Sequence, residues 1–126
     1  MVLAVSMRSG QSFVTSAPNI REVRVVCSPQ LQPHITSFAA GSTEIPPGQS
    51  SSMHHHTNSE ELWLVVSGEG EVNVGGERIH VTADTLILVP RRVEHQISNL
   101  GGVPLKVYWF FIPPGPERNI LRGRLE

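Results

Sequence analysis

The residues with the most chemistry to offer lie in one stretch, MHHHTNSEELWLVVSGEG at 53–70, where three consecutive histidines precede two glutamates and an apolar run. Imidazoles and carboxylates are donors for transition metals. A metal ion needs donors that converge on one point, and in extended chain successive side chains point to opposite faces. His54 and His56 therefore share a face and form the candidate pair, while His55 points away. In the run that follows, Glu61, Trp63 and Val65 share one face, and Glu60, Leu62 and Leu64 share the other. Alternation alone does not choose between the two glutamates. Three histidines in isolation also read as a tag scar or a solvated loop, so the metal reading depends on what surrounds them.

The elements that must position these residues are strands. Ten prolines and eleven glycines break the 126-residue chain into short apolar runs, the pattern of an all-β sandwich or barrel. Strands are expected at 21–28, 34–40, 50–56, 60–67, 71–75, 77–83, 85–90, 94–99 and 105–112, separated by turn signals such as IPPGQS, SGEG, VGGE and NLGGVP. The organisation expected is an N-terminal arm at 1–19, a β-barrel domain at 20–115 and a C-terminal tail at 116–126, the tail a short helix or a frayed end. In the last strand alternation places either Tyr108 and Phe110 or Trp109 and Phe111 toward the interior. An inward Tyr108 would be the candidate catalytic acid or substrate hydrogen-bonder.

The histidine stretch also carries a resemblance. Gly48, His54, His56, Glu61 and Gly68, with five, one, four and six residues between them, resemble the first conserved motif of the cupin superfamily. Asp84, Pro90, His95 and Asn99, with five residues between the first two and three between the last two, resemble its second. The resemblance covers roughly residues 34 to 112 and implies a double-stranded β-helix (jelly-roll) barrel. It implies that Glu61, rather than Glu60, joins His54 and His56, with His95 as fourth ligand of a divalent transition metal: Mn, Fe, Ni, Zn, Co or Cu. It also implies a homodimer, with REVRVVCS at 21–28 a candidate for strand exchange. Two positions depart from the family's pattern, Asp84 and Arg92, where glycine is usual. Glycine at such turns permits a positive φ that a bulky side chain resists, so the PRRVEH turn is expected either to change conformation or to hold Arg92 under strain.

A set of three imidazoles and one carboxylate leaves open positions on an octahedral ion, enough for Lewis-acid chemistry or for gathering two reactants. The function implied is a metal-dependent enzyme on a small organic molecule: a dioxygenase, or an isomerase, decarboxylase or lyase, including cupins associated with polyketide cyclisation. The alternative is a cupin that binds a metal or small molecule without catalysis. His34 and His80 fit neither motif and read as surface or strand residues. A net charge of −1 argues against an electrostatic nucleic-acid or membrane surface. The lone Cys27 excludes an intrachain disulfide. MVLAVSM is too short for a secretory apolar region and no run approaches a membrane span, so a cytoplasmic location is expected. About fourteen residues follow the last strand, too few for a helix-turn-helix, which sets aside a single-chain transcription factor.

Overall fold

A computed structural model describes residues 2–124 as two antiparallel sheets around a shared core. The strands are β1 (Ser12–Val14), β2 (Glu22–Cys27), β3 (Ala39–Ile45), β4 (Glu60–Ser67), β5 (Glu69–Val74), β6 (Glu77–Thr82), β7 (Leu86–Val89), β8 (His95–Asn99) and β9 (Leu105–Ile112), followed by the helix α1 (Glu117–Leu121). The larger sheet has the order β1-β2-β3-β9-β4-β7 and the smaller β6-β5-β8. Among the described residues, no helix is long and apolar enough to cross a membrane.

Alternation builds the core. Trp63 and Val65 of β4, Val107, Trp109 and Phe111 of β9, and Val23 and Val25 of β2 point inward, where they meet Val72, Val81 and Ile97 of the smaller sheet. A second cluster lies on the outer side of the larger sheet, where Val26, Cys27 and Ala40 pack with Ile35, Phe38 and Phe110 and with Val5 and Met7 from the N-terminal segment. A bulge between Val25 and Cys27 brings Cys27 onto that outer side beside Val26, so three successive residues are buried. The chain passes from the larger sheet to the smaller between β4 and β5 at Gly68, whose φ is +86° and where a Cβ would sit 2.6 Å from the Pro104 carbonyl oxygen. Only glycine fits that corner.

Three expectations need correction or refinement. The run at 34–40 is mostly loop, and the strand is Ala39–Ile45. Its AAGSTEI sequence is small and polar because it lies between β2 and β9, with Gly41 opposite Trp109. A Cβ on Gly41 would fall 2.2 Å from the Trp109 ring, so that indole needs a glycine beside it. Residues 50–56 form no regular strand; they touch β8 through isolated bridges at Ser50–Ser98 and His54–His95. The N-terminal segment holds a strand, β1, paired with β2, and is more than an arm. REVRVVCS supplies β2, which pairs with β3 of its own chain. In the C-terminal segment the helix forms as α1, with residues 125–126 outside the described part.

Candidate metal centre

The site begins with backbone pairing. His54 and His95 exchange backbone hydrogen bonds, His54 N to His95 O at 3.2 Å and His95 N to His54 O at 2.8 Å. This bridge holds the histidine segment extended beside β8, and it preserves the alternation expected of a strand: His54 and His56 turn inward while His55 is exposed. Arg92 N donates to the His56 carbonyl at 2.8 Å, so the turn before β8 is tied to the same segment. Glu61 enters from β4, its face set by the register Glu61–Val89 and Glu61–Phe111.

Four side chains converge. His54, His56, Glu61 and His95 each offer a ligand atom, all within 4.8 Å of one another. His95 and Glu61 are buried at 1% and 6% exposure, and His54 and His56 are half-buried. The rings pack edge to face, with centroids 5.0 Å apart for His54 and His56 and 4.4 Å for His54 and His95. Trp63 stands against His95 and Phe111 against His56 in the same manner. A carbonyl oxygen only accepts, so the contacts of His54 Nδ1 with Ser52 O and of His95 Nδ1 with Val93 O, both 2.9 Å, place the protons on Nδ1. The Nε2 lone pairs of the neutral rings are then available as ligands.

Glu61 divides its oxygens between two tasks. Oε2 accepts the Trp63 indole N–H at 2.8 Å. Oε1 lies 3.1 Å from His95 Nε2 and 3.5 Å from His56 Nε2. Neither Oε1 nor His56 Nε2 completes a well-directed hydrogen bond among the described residues. A carboxylate oxygen facing the lone pair of a neutral imidazole at such distances is repelled unless positive charge lies between them, a shared proton or a metal ion. Burial by itself would raise the Glu61 pKa, but a proton or positive charge held between Oε1 and the His56 and His95 rings outweighs it and holds the carboxyl down at about 2. His54 is pushed below its ordinary value by burial first and then by the neighbouring His95. Both shifts favour the deprotonated forms that bind metal. The donor set, three imidazoles and a carboxylate, fits a borderline divalent transition metal.

Beside the cluster opens a cavity of about 520 Å³, lined by Trp63, Ile97, Val107, Trp109 and Phe111 on its apolar side and reached by His54, His56 and Glu61. The inward pair of β9 is therefore Trp109 and Phe111. Tyr108 lies on the opposite face, half-buried, with Lys106 Nζ 5.7 Å from its ring. The catalytic role expected of an inward Tyr108 is thus not supported, because β9 presents its other face to the cavity. Asn99 braces its turn, donating to Ile45 O and Val103 O at 2.8 Å each. His80 is exposed and contacts Glu69 at 3.0 Å, and His34 is exposed, so both stand apart from the cluster. Sequence reasoning missed Trp63 as the residue orienting Glu61, although alternation had put the two on one face. It also missed Arg118, Asn119 and Ile120 of the C-terminal segment as cavity wall; no periodic signal in PERNILRGRLE marks them.

Comparison with known proteins agrees with this architecture. The chain is 33% identical over 82 residues to the tetracenomycin polyketide synthase protein TcmJ of Streptomyces glaucescens, a match covering 65% of this chain and 55% of that one. It is 31% identical over 85 residues to the polyketide synthase CurC of Streptomyces cyaneus, covering 68% and 55%. The match thus spans about half the length of these curated relatives. Among solved structures, a predicted oxalate decarboxylase from Thermotoga maritima superposes with a TM-score of 0.76 at 20% identity, over 89% of this chain and 100% of that one. The cupin domain of Schizosaccharomyces pombe Cnp3 gives 0.71 at 21%, over 100% and 84%. At those identities the likeness concerns the fold. The model of the cupin domain matches residues 41–111, more than half of the sequence and both histidine-bearing segments, and the chain belongs to the cupin family.

Proposed function

We propose that the chain is a metal-dependent enzyme acting on a small organic molecule, with a divalent transition metal held by His54, His56, His95 and Glu61. The observation that carries this reading is the convergence of four donors from three separate stretches of sequence to within 4.8 Å, beside an apolar cavity. When bound, the ion supplies a Lewis acid or, as iron, a redox centre. The protein's own part is orientation and shielding. Trp63 fixes the Glu61 carboxylate, the Ser52 and Val93 carbonyls fix the tautomers of His54 and His95, and Trp109 and Phe111 exclude water from the inner wall. The reaction class proposed is dioxygenase, or isomerase, decarboxylase or lyase. The two relatives named as polyketide synthase proteins favour a polyketide-derived substrate. We further propose that it works in the cytoplasm as a homodimer.

A second reading, a cupin that binds without catalysis, has one observation in its favour. With Tyr108 turned outward, apart from the cluster itself and His55, the described cavity lining holds no side chain suited to acid–base work near neutral pH.

Elemental analysis of an untagged preparation tests the first reading. The chain is expected to carry roughly one transition-metal ion, as a single four-donor centre requires. His54→Ala and His95→Ala are expected to lose it, and Glu61→Gln to bind it at least about tenfold more weakly while Glu60→Gln is unaffected. Substoichiometric metal that does not change in these variants would sink the proposal. Oxygen uptake with iron bound selects dioxygenase chemistry; its absence with manganese, nickel or zinc selects isomerase or lyase chemistry.

A further inference from the structure

The cavity has a polarity that the metal cluster does not account for. Its inner wall is apolar and aromatic, whereas among the described residues its charged lining outside the histidine cluster is cationic: Arg21 just before β2, and Arg118 and Arg124 from the C-terminal segment. Among the described residues the single lining carboxylate is Glu61, already engaged by Trp63 and the imidazoles. Arg21 is buried at 7% exposure and donates from Nη1 to the Asn19 carbonyl at 3.0 Å, so it is part of the framework. Arg118 and Arg124 are exposed and make no salt bridge among the described residues.

The backbone that carries these two arginines is tied down, with Arg124 N donating to the Asn119 carbonyl at 2.8 Å. Glu117, the residue before Arg118, is fully buried, its carboxylate accepting from Ser28 Oγ at 2.8 Å and from the Gly115 backbone N–H at 2.6 Å. Ile120 and Leu121 pack against the main core. A five-residue helix has little stability of its own, so this anchoring fixes α1 across the cavity. The fold thus sets the guanidinium groups of Arg118 and Arg124, which have no carboxylate partner among the described residues, beside an aromatic wall. Arginine's planar fork suits carboxylates, and a flat ring is the natural complement of Trp109 and Phe111. The volume is within the range of small-ligand sites.

We propose that this cavity takes an organic anion with a flat apolar body, its carboxylate held by Arg118 and Arg124 while the body lies against Trp109 and Phe111. The inference rests on the reading of the cavity as the substrate's place and names the class of molecule it receives. It does not depend on the ion.

Isothermal titration of the full chain with 2-naphthoate and with neutral 2-naphthamide, in metal-stripped and zinc-loaded protein, tests it. Naphthoate is expected to bind about tenfold more tightly than the amide in both forms, and the preference is expected to vanish in R118Q/R124Q and to survive in R122Q, where the arginine removed lies on the same segment but not on the cavity. Thermal melting of the double variant confirms that it is folded. Failure of both ligands to bind, equal affinity in the wild type, a preference that persists in R118Q/R124Q, or one lost equally in R122Q would each overturn the proposal. A preference confined to the zinc-loaded chain would also overturn it, because the carboxylate would then be answering the ion. Absence of metal from the native preparation, by contrast, counts only against the metalloenzyme.

Discussion

Glu61 shows how one side chain is prepared for a metal. One oxygen is fixed by an indole N–H at 2.8 Å, which leaves the other facing two imidazoles. A carboxylate with both oxygens loose would spend orientational entropy on binding; this one has spent it on folding. Trp63→Phe keeps the ring and its edge contact with His95 but removes the donor. That leaves a buried carboxylate oxygen without its partner, a cost of about 1–3 kcal/mol in stability. Metal affinity is expected to fall by about tenfold or more. Metal competition titration and urea denaturation of the variant check the two parts, and an unchanged affinity would mean that Trp63 does not hold the ligand in place. At this scale the sequence was legible as far as alternation reaches. It paired His54 with His56, turned His55 away, and put Trp63 on the face of Glu61. It could not prefer Glu61 to Glu60, since β4 is apolar on both faces and periodicity is then silent; the spacing to Gly68 made the choice. Nor could it assign Trp63 a polar task, because a tryptophan in a strand reads as core.

Elements were legible where side-chain pattern decides them and obscure where pairing does. The boundaries expected for β4 and β9 are the observed ones, Glu60–Ser67 and Leu105–Ile112, both rich in alternating apolar residues. β3 was misplaced because AAGSTEI owes its strand character to neighbours on both sides and to the space Trp109 demands at Gly41. The tension foreseen at the two turns is resolved by strain. Asp84 and Arg92 adopt the positive φ that glycine would take, 67° and 65°, and Arg92 is held there by its bond to the His56 carbonyl. An L-residue in this region costs roughly 1–2 kcal/mol, offset in part by the greater unfolded-state entropy of glycine. Arg92→Gly is therefore expected to raise stability by about 1 kcal/mol or less, whereas Arg92→Ala, which keeps the Cβ, should give no such gain. Urea midpoints of the two variants decide the matter, and equal midpoints would show that the turn stores no strain.

The whole molecule presents one outer surface that its own chain leaves largely open. On β4, β7 and β9 the outward residues fall into register as Leu62 beside Leu88 and Phe110, and Leu64 beside Leu86 and Tyr108. At one end Phe110 joins the cluster closed by Val5, Met7 and Phe38. At the other, Leu86 and Leu88 are 61% and 53% exposed on β7, an edge strand of the larger sheet. An apolar row ending on an unprotected sheet edge invites association, and burying such leucines yields about 1.5–3 kcal/mol each when complete. The homodimer we propose would place this face against its copy, since a self-complementary patch suits two-fold pairing. Light scattering coupled to size exclusion should then find a dimer for the wild type and a monomer for Leu86→Glu/Leu88→Glu, in which charges would be buried without partners. Ile79→Glu, an equally exposed apolar position on β6 of the smaller sheet, should leave the dimer intact. Metal content should be equal in all three, because the four ligands face inward from β4, from β8 and from the histidine segment beside β8. A monomeric wild type, or a dimer that survives both leucine substitutions, would remove this face from consideration.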